Sequence, residues 1–289
     1  MLQLGMQARE ESEEIRALRN EVKRLRERLN RLSPSLPVIL RRRGISIYKK
    51  EPSDDLLVPG KQYIDGYYEM LRKYSFRLFL RDIIKHQPLF SLAQVTRYAT
   101  KEVTAEYIHH LIDIGIVRPE GDSYRLLKGP IRSFGTTLEW FVAEIFRKDF
   151  SAEAVWGVKI RHRVVGGDYD LLSRIEGFVL YMEVKSSPPR QVYQNEISAF
   201  FDRVGDLMPE ISIFFMDTEL RMKDKIVPMF EQELKDRFRE PPAVRRMERE
   251  LFEIACDGIK LPRMFIINAK DSIVANIERV LTRHFRGGA

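Results

Sequence analysis

Between residues 166 and 185 the chain sets Asp168, Asp170, Glu183 and Lys185 at the ends of what otherwise reads as two short β-strands. Gly166-Gly167-Asp168-Tyr169-Asp170 ends in acids spaced i, i+2 and continues into Leu171-Leu172. Residues 173–177 have the composition of a hairpin turn, and Phe178-Val179-Leu180-Tyr181-Met182 returns into Glu183-Val184-Lys185. Side chains two apart on a strand project from the same face of the pleat. Asp168 therefore shares a face with Asp170, and Glu183 with Lys185. Pairing the two strands gathers three carboxylates and one ammonium near one spot. Crowded carboxylates repel and raise one another's pKa. A divalent cation removes the conflict, because Mg²⁺ takes oxygen ligands and uses one or two protein carboxylates while keeping waters and phosphate oxygens. A neighbouring lysine can orient or deprotonate an attacking water and neutralise charge developing on phosphate. That is the equipment for metal-assisted phosphodiester hydrolysis. The plain alternative is an exposed hairpin with a surface salt bridge.

The elements around this hairpin predict an α/β domain over residues 129–289. Residues 136–148 have the spacing of an amphipathic helix, with Leu138, Phe141, Val142 and Ile145 on the apolar stripe. A strand follows at 154–158. Lys159-Ile160-Arg161-His162-Arg163 then leads into the acidic hairpin, either to hold a polyanion backbone or as a charged edge strand. Beyond Lys185, Ser186-Ser187-Pro188-Pro189 breaks the strand, and 191–204 reads as a helix. Residues 211–216 are apolar without interruption, the pattern of a strand buried on both faces, and Met264-Phe265-Ile266-Ile267-Asn268 reads the same way. Residues 223–239 and 243–255 read as helices separated by Pro241-Pro242, and Asp271 is the predicted cap of a last helix ending near 285. The order is helix, three strands, helix, strand, helices, strand, helix.

Gly-Gly-Asp-Tyr-Asp followed after twelve residues by Glu-Val-Lys, in that order of elements, resembles the PD-(D/E)XK, restriction-endonuclease-like superfamily. Its Holliday junction resolvase branch often carries a Gly-rich turn before the first acid. The resemblance spans about residues 130–285 and implies a restriction-endonuclease-like αβββαβ core with an added helical insertion. It implies Asp170 as the first metal ligand, Glu183 as the second, a backbone carbonyl from Val184, and Lys185 as the catalytic lysine. Asp168 falls at an auxiliary acid that some members carry. Glu139, beside the stripe of the first helix, falls where the family often presents an acid towards the metal; a surface acid is the alternative. Gln191 or Gln194 matches the place of a Gln or Lys near the active site. The usual proline before the first acid is absent, with Tyr169 in its place. The implied cofactor is Mg²⁺ or Mn²⁺, and the implied substrate is DNA, with RNA a polymer the same ligands would serve.

Upstream, residues 1–34 predict a coiled-coil helix. In 10–32, Ile15, Val22 and Leu29 occupy heptad position a, and Leu18, Leu25 and Leu32 occupy d, the choice that favours a parallel two-stranded coil. The expectation is a homodimer; a lone amphipathic helix packed on its own protein is the alternative. Residues 35–66 read as linker, with short strands at Val38-Ile39-Leu40 and Ile45-Ser46-Ile47-Tyr48 around Arg41-Arg42-Arg43. Over 67–128 the pattern is helix, helix, helix, hairpin. Its exit Leu111-Ile112-Asp113-Ile114-Gly115-Ile116-Val117 resembles a winged helix-turn-helix, whose third helix enters a major groove. That helix carries Lys101, Glu102, Glu106, His109 and His110, without the Arg, Asn or Gln readers that base recognition prefers. Lys101 and His109 are its candidate nucleic-acid contacts, and winged helices also serve as protein-binding modules.

Composition narrows the remaining choices. A net charge of +7 suits a polyanionic partner without requiring one. Only Cys256 is present, so there is neither a disulfide framework nor a cysteine zinc site, and a reducing cytoplasm fits. The start does not resemble a signal peptide, and no apolar run reaches the roughly 18 residues that span a bilayer, so no membrane association is expected. The competing class is a non-catalytic nucleic-acid- or protein-binding regulator that uses the winged helix and the coil.

Overall fold

Two left-handed residues, Glu176 (φ 48°) and Gly177 (φ 88°), turn the acidic hairpin, and an eight-stranded sheet is built outward from it. The computed structural model describes residues 18, 21, 24, 25, 34–161, 165–255 and 262–286. Apart from those first four positions, the predicted heptads and the dimer expected from them lie outside the described residues, as do Arg163 and Cys256. Residues 1–46 and 47–289 form separate compact units.

In the first unit Leu36–Arg42 is a helix (α1), which corrects the strand expected over Val38-Ile39-Leu40. The β-branched pair favours a strand, but the residues at both ends favour a helix. Pro37 sits in the first turn, where its fixed φ is already helical. At the other end Gly44 (φ 74°) donates to the Arg41 carbonyl at 3.0 Å and Ile45 donates to that of Leu40 at 2.9 Å. Those two bonds are a Schellman stop.

The second unit starts with β1 (Ile47–Lys49) and then runs through α2 (Ile64–Leu71), α3 (Tyr74–His86), β2 (Leu89–Phe90), α4 (Leu92–Val95) and α5 (Lys101–Asp113). The hairpin β3 (Val117–Glu120) and β4 (Ser123–Leu126) follows and joins β2 in a three-stranded sheet ordered β2-β4-β3. Next come α6 (Gly135–Lys148), β5 (Glu153–Ile160), β6 (Tyr169–Ile175), β7 (Phe178–Lys185), α7 (Gln194–Leu207) and β8 (Ile211–Met216). The chain closes with α8 (Ile226–Arg237), β9 (Ala243–Glu248), β10 (Leu251–Ala255), β11 (Arg263–Asn268) and α9 (Ile273–Arg286).

The large sheet is ordered β1-β5-β6-β7-β8-β11-β10-β9. Its centre, β7-β8-β11, is parallel and both flanks are antiparallel. Every residue of β8 is buried, as its unbroken apolar run predicts. One face packs on α6 and α9 through Leu138, Phe141, Phe265 and Ile277. The other packs on α7 and α8, where Phe200 meets Tyr181, Phe214 and Phe230 with ring centroids 5.5–5.8 Å apart.

The hydrophobic core continues without a break into α2 and α3, where Tyr68 lies 5.5 Å from Phe141 between ring centroids. A buried ion pair ties the same two regions: Arg77 of α3 (1% exposed) reaches Asp217 (0% exposed) at 2.8 Å.

Residues 243–255, expected to be helical, are instead the β9–β10 hairpin. The charged run Arg245-Arg246-Met247-Glu248 has helix-like composition. These residues form an exposed edge strand, where charge prevents further pairing. The last helix is capped by Ser272, whose hydroxyl accepts from the Ala275 N–H at 3.3 Å, rather than by Asp271. Asp271 takes a left-handed conformation (φ 71°) and pairs with Arg249.

Candidate active site

A two-residue turn with both φ values positive matches the natural twist of a hairpin and fixes its register. Ile175 pairs with Phe178, and the ladder runs to Leu171 opposite Met182. One step further stand Asp170 and Glu183, at the edge where β7 gives way to its parallel crossover. The hairpin turn is shorter than residues 173–177, because Ser173-Arg174-Ile175 remain in β6.

Asp170 is half-buried and its Oδ2 accepts the Val184 N–H at 2.7 Å. Burial first, then the Glu183 charge, pushes its pKa up to about 8, against the opposing pull of the Val184 N–H, Lys185 and Arg203. Glu183 is 2% exposed. Its Oε1 lies 2.9 Å from Lys185 Nζ, and its Oε2 lies 3.0 Å from Arg203 Nη1 and also accepts the Tyr181 hydroxyl. Lys185 is held from the other side by Glu196 Oε1 at 2.9 Å. Burial alone would lower the Lys185 pKa, but Glu183, Asp170 and Glu196 outweigh it and raise it, so the side chain stays an ammonium. Glu139 reaches the cluster from α6. Burial, then Asp170, Glu183 and Asp168, push its pKa up to about 9.

The predicted residues thus separate into two groups. Glu139, Asp170, Glu183 and Lys185 form one electrostatic unit. Asp168 precedes β6 and turns outward to Lys159, 3.2 Å away, so it touches the cluster only through its charge on Glu139. Gln191 ends a short 3-10 turn, Pro189–Gln191, and is exposed, whereas Gln194 donates to the Met229 carbonyl at 3.1 Å and to Glu233 at 3.0 Å. The residues of this helix that do reach the site are Glu196 and Arg203, together with Tyr181 of β7. Glu196 and Arg203 are seven apart, two turns along one helical face. That spacing is a signal the sequence offers once Glu183 and Lys185 are recognised as needing partners. Lys101 and His109 are exposed on α5, and Arg161 is exposed beyond the end of β5.

The donor set suits a hard cation: only oxygens converge, and the carboxyls raise one another's pKa, which a divalent charge relieves. Among the described residues, however, no group of three or more His, Cys, Asp or Glu side chains is arranged to hold a metal ion. Both Glu183 oxygens are paired with cations, Lys185 and Arg203. A hydrated Mg²⁺ asks for fewer, one or two carboxylates.

No family model matches the chain, and no curated protein matches it. Among solved structures it is similar to protein VC1899 from Vibrio cholerae, at 12% identity and a TM-score of 0.39, over 58% of this chain and 50% of that one. It is also similar to Can2 from Sulfobacillus thermosulfidooxidans in complex with cyclic tetra-adenylate, at 13% identity and a TM-score of 0.36, over 60% of this chain and 48% of that one. The chain spans about half the length of each. Among the described residues no helix is long and apolar enough to cross a membrane.

Proposed function

We propose that the chain is a metal-dependent nuclease of the PD-(D/E)XK type that hydrolyses phosphodiester bonds, in DNA before RNA. The observation that carries this reading is the convergence of Glu139, Asp170 and Glu183 on Lys185 at the mouth of the β6–β7 hairpin. In this reading α6, β5–β7, α7 and β8 are the αβββαβ core. The order α3-β2-α4-α5-β3-β4 is a winged helix that presents Lys101 and His109, and residues 10–32 join two copies.

Asp170 and Glu183, with the Val184 carbonyl, would hold Mg²⁺ or Mn²⁺, and Glu139 would supplement them. The bound ion would supply Lewis-acid polarisation of the phosphate and a more acidic water. The remaining work falls to the chain's own groups. The Val184 N–H fixes the Asp170 carboxylate. Lys185, kept charged by its acidic neighbours, neutralises charge developing on the phosphate and does not act as the base. Glu139, whose pKa is raised by burial and by the neighbouring carboxyls, tunes the charge of the site, and the attacking water gives its proton to solvent. The water oxygen forms the new bond to phosphorus, the ester P–O bond breaks, and the leaving oxygen takes a proton from solvent.

One observation favours a second reading. Glu183 is satisfied by Lys185, Arg203 and Tyr181 without any metal, as befits a non-catalytic module that binds nucleic acid or protein. Titration calorimetry with Mg²⁺ separates the two. A nuclease binds the ion and loses binding with Asp170→Asn. A regulator shows no carboxylate-dependent heat.

A further inference from the structure

Beside the acidic cluster lies an open cleft of ≈ 580 Å³ lined by Tyr48, Lys159, Ile160, Arg161, Gly167 and Asp168. That volume lies within the range of small-ligand sites. Tyr48 belongs to β1, the edge strand beside β5, and remains 54% exposed. The β1–β5 register slips there, with Ile47 opposite Ile160 but Lys49 opposite Lys159. Such a bulge re-aims a side chain away from the ladder, and bulges are over-represented beside active sites.

The Arg161 guanidinium carbon stands 5.8 Å from the centre of the Tyr48 ring, a cation–π contact, and among the described residues it has no acidic partner. Lys159, on the cleft wall, is bridged to Asp168, whose charge reaches Glu139 in the acidic cluster. The opposite wall, at Gly167, is tied to the same cluster. A β-carbon there would fall 2.5 Å from Arg203 Nη2, and Arg203 holds Glu183. The cleft therefore combines a flat aromatic face, an exposed guanidinium and direct continuity with the carboxylates.

We propose that this cleft is a nucleotide subsite for an unpaired strand, in which a base stacks on Tyr48 and the adjoining phosphates lie against Arg161 and Lys159. A base in a duplex already has both faces stacked, whereas a single strand offers them, and aromatic stacking beside a basic track is how such strands are held without sequence preference. The inference rests on the nuclease reading for the identity of the polymer, and it narrows the substrate to single-stranded or frayed nucleic acid.

The test is fluorescence anisotropy of the full chain with a labelled oligothymidylate of about 12 nucleotides, a length suited to one such site, in EDTA so that no cleavage intervenes. A duplex of the same length is the comparison. The expected result is tighter binding of the single strand, weakened about tenfold by Tyr48→Ala, comparably by Arg161→Gln, and little changed by Tyr48→Phe. Each variant's thermal midpoint is checked against the parent. Absence of single-strand binding, preference for the duplex, or affinity within twofold of the parent for both Tyr48→Ala and Arg161→Gln would overturn the subsite. Single-strand binding without any metal-dependent cleavage would leave the subsite standing and remove the nuclease reading. Asp170-dependent cleavage indifferent to Tyr48→Ala would do the reverse.

Discussion

Lys185 Nζ and Glu196 Oε1 meet at 2.9 Å where β7 hands over to α7. With Glu183 on its other side, the lysine is a fixed cation rather than a proton acceptor. Replacing Lys185 by Ala should then lower metal-dependent cleavage by about 10²–10³-fold, the cost of losing one group that stabilises transition-state charge. Glu196→Gln keeps the contact but removes a partly exposed charge, so it should cost less than about tenfold. Initial rates on one labelled substrate compare the two. Equal losses would mean that Glu196 acts on the substrate rather than through Lys185.

Asp170 predicts a pH dependence of stability in metal-free buffer. Its pKa of about 8 in the folded chain stands well above the unfolded value of about 3.9. Between those values the folded chain keeps a proton that the unfolded chain releases. The stabilisation is therefore complete below the unfolded pKa and is lost as pH rises towards 8. Asp170→Asn removes this titration, so its thermal midpoint relative to the parent should rise from pH 5 to pH 8. Parallel midpoint-against-pH curves would contradict the assignment.

Gly167 combines a φ of 96° with its close approach to Arg203. Gly167→Ala meets both a left-handed penalty and a clash, and should cost about 1–3 kcal/mol in urea denaturation. It should also reduce cleavage by displacing Arg203 from Glu183. Gly166→Ala, where an added β-carbon meets nothing within 4 Å, is the matched control.

The Asp217 carboxylate is fully buried between Arg77 and Arg81. Asp217→Ala leaves Arg77 unpaired in the core and should destabilise the chain by about 3–5 kcal/mol, measured by urea unfolding. A loss below 1 kcal/mol would mean that water or a rearranged side chain satisfies Arg77.

Much of this architecture follows from local pattern. The unbroken apolar runs of β8 and β11 announce central strands, and Glu-Val-Lys with its upstream acid announces the cluster. What the pattern leaves out is long-range. Glu196 and Arg203 read as ordinary residues of an amphipathic helix until the crossover lays α7 over Glu183. Family resemblance alone points to Gln191 and Gln194, and the start of α7 at Gln194 turns the second of them towards Glu233. The β9–β10 hairpin is hidden for another reason: an exposed edge strand carries the same charges as a solvated helix, and only its pairing with β11 distinguishes them. Tyr48 gives no sign of its exposure, because the register slip that re-aims it depends on β5, more than a hundred residues away.

The central claim, an acid pair and a lysine arranged for phosphodiester hydrolysis, is tested most directly by cleavage of labelled single-stranded, duplex and branched DNA with Mg²⁺. The parent chain is run beside Asp170→Ala and Lys185→Ala. The predicted result is metal-dependent cleavage by the parent, none in EDTA, none above background by Asp170→Ala, and a loss of about 10²–10³-fold by Lys185→Ala. Cleavage that persists in both variants, or a parent chain inert towards every substrate with Mg²⁺ and with Mn²⁺, would contradict it.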